Sequence, residues 1–261
     1  MTRVSKALVN AGWGLILPVA LFVLWWFVSE DSTNVFFPSL RSILQTFRQN
    51  WLFQRAGTDL EPSFVRFVIG LAIAVICGIL GGIALGTSRR ARRNLWPITE
   101  ILRSTPFTAL VPLALILFGP GASMEIALIA FASWWPILLN TADGIRGVDT
   151  VLLDSARVYG VSPLRRTFRV ALPAAAPRVF AGIRIAVAIA VAATVISNMF
   201  AAANGLGYFV IDAESRFNIR DTWSGVIVIG LLGLFANLVF LLVERHMLRW
   251  YHGWRSITTA N

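Results

Sequence analysis

Six apolar runs of membrane-crossing length divide the chain, at about 13–28, 64–86, 96–118, 123–141, 179–203 and 223–243. Lipid offers no hydrogen bonds to a backbone, so runs of this length must be helices that satisfy their own amides. The expected fold class is therefore all-α: a polytopic membrane helical bundle with about six transmembrane helices, in one domain over 1–261. Composition agrees, because 57% hydrophobic residues, 14% charged residues and a mean hydropathy of +0.71 do not describe a soluble domain.

The cations fix an orientation. Arg3 and Lys6, the arginines at 89–93, those at 146–178 and Arg245, Arg249 and Arg255 all fall on one face of a six-span topology. The opposite loops hold Arg41, Arg48, Arg55, Arg216 and Arg220, interspersed with acids. The positive-inside rule then predicts a multi-pass protein with both termini in the cytoplasm. The net charge of +10 reflects this sidedness, and no nucleic-acid partner is expected from basic residues that only punctuate apolar runs.

The first run has a positive start but no small-residue cleavage site at Val28-Ser29-Glu30-Asp31, so it reads as a retained anchor. Pro38-Ser39 opens a short amphipathic helix with Leu40, Ile43, Leu44 and Phe47 on its apolar side. In the second run Gly70, Ala74, Gly78, Gly82 and Gly86 recur every fourth residue, a stripe that lets another helix approach closely. The third is interrupted by Pro97, Pro106 and Pro112, breaks that lipid tolerates only where protein or a water-lined cavity satisfies the freed backbone. A polar loop over 204–222 is expected before the last run.

Between the fourth and fifth runs lies 149–177, too polar for lipid yet patterned like folded structure. It predicts two short helices. Asp149 caps the first, which ends at Gly160, suited to a left-handed C-terminal position. Ser162-Pro163 then caps and opens the second. On that helix Leu164, Phe168 and Leu172 fall on one side and Arg165, Arg166 and Arg169 on another. Such a pair suits either a protein docking element or an amphipath on anionic lipid.

Several chemistries are absent. Lys6 is the only lysine, so there is no phosphate loop, and His246 and His252 lack partners at metal-ligand spacing. No metal and no catalytic residue is expected. One cysteine, Cys77, excludes an internal disulfide. Polar candidates for a solute path remain: Arg103, three residues from Glu100; Thr105, Pro106 and Thr108 at the broken backbone; and Asn198 with Met199, deep in the fifth run. For Arg103 the competing reading is a structural pair with Glu100, and for Asn198 a helix-to-helix hydrogen bond. Arg184 reads as structural.

The run Leu153-Asp154-Ser155-Ala156-Arg157, with Gly160 after it and then Leu172-Pro173, resembles the EAA loop of bacterial ABC-importer permeases. Arg103-Ser104-Thr105-Pro106, the stretch from Leu139-Asn140-Thr141 to Gly144-Ile145-Arg146, and Asn204-Gly205-Leu206-Gly207-Tyr208 look like the nitrate/sulfonate/taurine-type branch. The resemblance spans about 35–250. It implies a core importer fold over about 64–248 in the bacterial inner membrane, with 149–177 as an EAA-type coupling helix pair in the cytoplasm. It also implies the partners: a cytoplasmic ATP-binding subunit that holds ATP and Mg, a second permease copy, an extracytoplasmic solute-binding protein and membrane lipid. The chain itself would bind no cofactor and would not be an enzyme. Asp154, Ser155, Ala156, Gly160, Pro163, Leu172 and Pro173 then carry the ATPase coupling, and the solute is a small anion such as a sulfonate, taurine or nitrate. Asp154 and Ser155 replace the usual Glu and Ala, and Asn198 stands where relatives often carry Glu. The alternatives are a secondary transporter and a non-transporting assembly or receptor protein.

Overall fold

The computed structural model describes residues 3–30, 32, 34–201 and 203–251, with side chains from Ile16 onward except at 201. His252 and Arg255 of the tail lie outside the described residues, as do the side chains of Arg3 and Lys6. The order is α1 (Arg3–Val28), α2 (Leu40–Gln49), α3 (Glu61–Thr87), α4 (Arg89–Ser104), α5 (Val111–Phe118) and α6 (Ala122–Arg146). Then come α7 (Thr150–Val158), α8 (Pro163–Arg166), α9 (Leu172–Ala201), α10 (Leu206–Ser215) and α11 (Ile219–Met247). No strand occurs among the described residues, in keeping with an all-α bundle.

Among those residues four helices are long and apolar enough to cross a membrane, or five if α4 and α5 form one broken span. The first expected span falls within α1, whose side chains are described over Ile16–Val28. It is attached through aromatics: Trp25 lies 5.4 Å from the ring of Trp223 and 6.0 Å from that of Phe37.

The centre of the bundle is α6, packed between α3 and α9. The glycine stripe of α3 lies against it. A Cβ built on Gly70 would stand 2.7 Å from the Ile129 side chain, one on Gly78 2.8 Å from Ile137 and one on Gly86 2.9 Å from Ile145. At Gly82 it would collide with Thr141 and reach 2.8 Å from the Leu138 carbonyl oxygen. The other side of α6 meets α9, where a Cβ on Gly182 would stand 2.7 Å from the Pro136 carbonyl. Without side chains in between, two backbones approach closely and van der Waals contact replaces a hydrophobic drive that lipid cannot supply.

The interruption expected in the third run is present: the chain turns by 88° between α4 and α5. Of its three prolines only Pro106 sits at the break. Thr105 before it is extended, as a residue preceding proline prefers, while Pro112 occupies the first turn of α5, where no amide bond is lost. Pro97 stays inside α4.

Two sequence expectations change. The second helix of 149–177 is not separate. A wide turn at Thr167–Ala171, in which Leu172 N donates to Thr167 O, joins α8 to α9, so one rod runs over Pro163–Phe200. Widening lets the helix pass Pro173, which has no N–H to give to the turn before it. Finally, the expected loop after α9 contains a helix. Leu206, Phe209 and Ala213 of α10 share a buried face, which the charges around them mask in the sequence.

Candidate functional site

Two sites occupy opposite ends of the bundle. One is the α7 end, where α6 finishes and α9 begins. Asp149 Oδ1 accepts from Val151 N at 2.8 Å, capping α7. At its other end Gly160 has φ +71°, and Val161 N donates to Ala156 O at 3.0 Å, which closes the helix and reverses the chain toward Pro163. Leu153 packs on a cluster of Ile145, Val148, Ala171 and Ala175, so α7 is tied to the ends of both α6 and α9. Arg178 adds a bond from Nη1 to Asp143 O at 3.1 Å.

The outer surface of this element is unusual for a part of the chain outside the apolar spans. Val158 and Tyr159 are each 86% exposed and Leu164 is 70% exposed, with Val151 and Phe168 beside them. Asp154 pairs with Arg157 at 2.7 Å on the same exposed helix, and Ser155 Oγ donates to Val151 O at 2.8 Å, which keeps that hydroxyl folded onto the backbone. Ala156 lies one turn below Gly160. Leu172 and Pro173 stand in the first turn of α9, Leu172 half-buried and Pro173 exposed.

At the opposite end is a buried polar cluster. Arg66, early in α3, donates from Nη1 to both oxygens of Glu125 at 2.8 and 3.0 Å, and from Nη2 to Asn204 Oδ1 at 2.8 Å. Asn198 Nδ2 donates to Glu125 Oε2, which it shares with Arg66. Its Oδ1 accepts from Ser63 Oγ at 2.8 Å, and Ser63 Oγ in turn accepts from Leu206 N at 2.9 Å. Asp59 Oδ1 accepts from Gly205 N at 2.9 Å. Glu125, Asn198 and Ser63 are fully buried and Asp59 nearly so. A buried charge persists only when paired and hydrogen-bonded, and here every member has its partners. The result is a clamp that fixes the ends of α3, α6 and α9 and the 204–206 turn as one body.

The candidate path residues are not brought together. Arg103 pairs with Glu100, from Nε at 2.8 Å and Nη2 at 2.5 Å, on the exposed side of α4. Thr105 Oγ1 donates to Ile101 O at 3.1 Å, and Pro106 and Thr108 are exposed at the bend. Asn198 belongs to the clamp, and Met199 packs towards Gly207 of α10. Arg184 pairs with Glu244 of α11. Sequence reasoning missed Arg66 and Glu125. The available signal was an isolated base and an isolated acid, each within the first turns of an apolar run entering from the same side. Glu125 also bears on the departure at 198: a carboxylate from the neighbouring helix touches Asn198.

A family model described as "Binding-protein-dependent transport system inner membrane component" matches residues 68–252, from mid-α3 through the α7 element to the end of α11. The chain belongs to this family. The importer-permease reading of the chain thus stands over the secondary-transporter and non-transporting alternatives. Among curated proteins, the chain is 30% identical over 249 residues to the "putative aliphatic sulfonates transport permease protein SsuC" of Bacillus subtilis, covering 94% of this chain and 90% of the relative. It is 31% identical over 251 residues to the "bicarbonate transport system permease protein CmpB" of Synechococcus elongatus, covering 90% of each. Among solved structures, an inward-facing form of the MetNI methionine ABC transporter matches 72% of this chain and 94% of that one with TM-score 0.63 at 17% identity, a likeness of fold. As a permease of this family, the chain is a multi-pass membrane protein.

Proposed function

We propose that the chain is the path-forming subunit of an importer for a small anion, driven by a separate ATP-binding subunit that grips the α7–α8 element. The observation that carries this is the exposed apolar surface of Val158, Tyr159 and Leu164 beside the Asp154–Arg157 pair, on an element outside the apolar spans. Such a surface suits a protein groove, where aromatic and aliphatic side chains supply the contact energy. With one lysine and no phosphate loop, the chain has to draw its energy from another subunit. ATP and Mg belong there. A second permease copy and a solute-binding protein complete the assembly.

In this mechanism ATP draws two ATPase subunits together, and each carries its docked α7 with it. Because α8 continues into α9, and α6 ends one short turn before α7, displacement of the element moves those long helices as rods. The clamp of Arg66, Glu125 and Asn198 keeps their far ends together, so the bundle swings instead of splaying. Six spans, with the termini and α7 in the cytoplasm, are the topology that the arginine distribution supports. The anion class rests on the sulfonate and bicarbonate relatives, and Arg103 is the candidate that would attract such a solute at the α4–α5 bend.

Gly160 gives the test. A β-branched side chain at φ +71° is strained by more than about 1 kcal/mol, while a Cβ there meets nothing within 4 Å. Gly160→Val should therefore insert normally and retain its fold, yet lose transport-coupled ATP hydrolysis in the reconstituted complex. Normal coupling in that variant would remove the element's role.

A further inference from the structure

A groove of about 750 Å³ opens between the start of α4 and the end of α6, lined by Arg89, Arg90, Arg92, Arg93 and Arg146 around Trp96. The ion pairs nearby leave it uncompensated. Arg146 reaches Asp143 at 3.5 Å and Glu100 is taken by Arg103, whereas the four arginines at the start of α4 have no carboxylate partner among the described residues. Five guanidiniums facing one open space repel one another unless an anion joins them.

Three features specify that anion. First, the cluster begins two residues after the apolar helix α3 ends at Thr87, so its guanidiniums stand at the depth where a bilayer changes from hydrocarbon to headgroup. Second, α4 is two-sided. Arg89, Arg92, Arg93 and Trp96 share one face, and the exposed Leu95, Ile98 and Leu102 lie on the other, as in helices that rest in a membrane interface. Third, a guanidinium matches the paired oxygens of a phosphodiester, and an indole prefers the interfacial layer.

We infer that this groove is a binding site for an anionic phospholipid, its phosphodiester headgroup held by the α4 arginines and Arg146 and its acyl chains lying along α3 and α4. The lipid bridges the start of α4 to the end of α6, immediately before α7, and so holds the coupling element's base in place. The site does not depend on which solute is carried or on how the ATPase docks.

The test is native mass spectrometry of the full transporter complex extracted from membranes, counting retained phosphatidylglycerol and cardiolipin against phosphatidylethanolamine. Wild type should retain the anionic lipids selectively. Replacing Arg89, Arg90, Arg92 and Arg93 together with Gln should lower that retention by at least about tenfold, while the four Lys replacements should largely preserve it. If the fourfold Gln variant fails to insert, Arg92→Gln with Arg93→Gln keeps half the cluster and should give an intermediate loss. Equal retention in wild type and either Gln variant overturns the site. So does displacement of the lipid by inorganic phosphate, which would make it a free-anion site, or loss of the ATPase subunit with lipid unchanged, which would make it a protein interface.

Discussion

Arg66 and Glu125 meet inside the bundle although 59 residues separate them, and the pair shows how much one buried ionic contact can determine. Glu125 has no exposure and Arg66 is 13% exposed, so water screens the pair little. Removing one partner leaves the other charged and buried. Arg66→Met or Glu125→Leu alone should destabilise the bundle by about 3–5 kcal/mol. The double replacement should recover part of that, since only Asn198 Nδ2 and Asn204 Oδ1 then lack partners. Thermal unfolding of the four proteins in detergent gives the coupling directly, and additive losses would mean that the pair is not a unit. The sequence displayed both residues without showing that they meet. Asn198 was visible as an oddity in an apolar run, but its carboxylate neighbour comes from another helix, and one sequence holds no record of that contact. Arg103 was different, because its partner Glu100 lies one helical turn away and could be read from spacing alone.

The α3–α6 contact belongs to the scale of elements. Its stripe was legible because small residues every fourth position can share one helix face whatever the rest of the fold does. The side that receives it, Ile129, Ile137, Thr141 and Ile145, reads in the sequence as ordinary apolar helix. Gly82→Val should wedge the two helices apart, because its Cβ meets both Thr141 and the unyielding Leu138 carbonyl. Overpacking of this kind costs about 1–3 kcal/mol or more. Gly230→Ala on α11, where a Cβ meets nothing within 4 Å, should be neutral or slightly stabilising. Comparing the melting temperatures of the two variants checks the contact; similar values would show that the helices can separate freely. Where the reading of elements failed, a competing local rule prevailed. The polarity of 149–177 suggested a second short helix apart from the fifth run, but a widened turn carries the helix past Pro173, and α8 and α9 form one rod. The charges of 212–221 suggested a loop, but Leu206, Phe209 and Ala213 bury enough to order α10.

At the scale of the whole molecule, long rods are fastened at one end by a buried ionic clamp and carry at the other an exposed apolar handle. The long apolar helices α3, α6, α9 and α11 were legible from hydropathy, because lipid imposes such runs on any chain that crosses it. The break at Pro106 was legible too, whereas its 88° angle was not, since that depends on how α4 and α5 pack against the rest of the bundle. The handle was legible as a motif, while the exposure of Val158 and Tyr159 on it required coordinates. Co-purification from membranes measures the use of that handle most directly. The wild-type chain should bring down an ATP-binding subunit in stoichiometric amount, and Val158→Asp with Tyr159→Asp should insert equally well but lose it by at least about tenfold, as expected when two buried interface anchors become charged. If the subunit stays bound at wild-type levels with both side chains changed, the motor does not grip this element, and the proposed coupling is wrong.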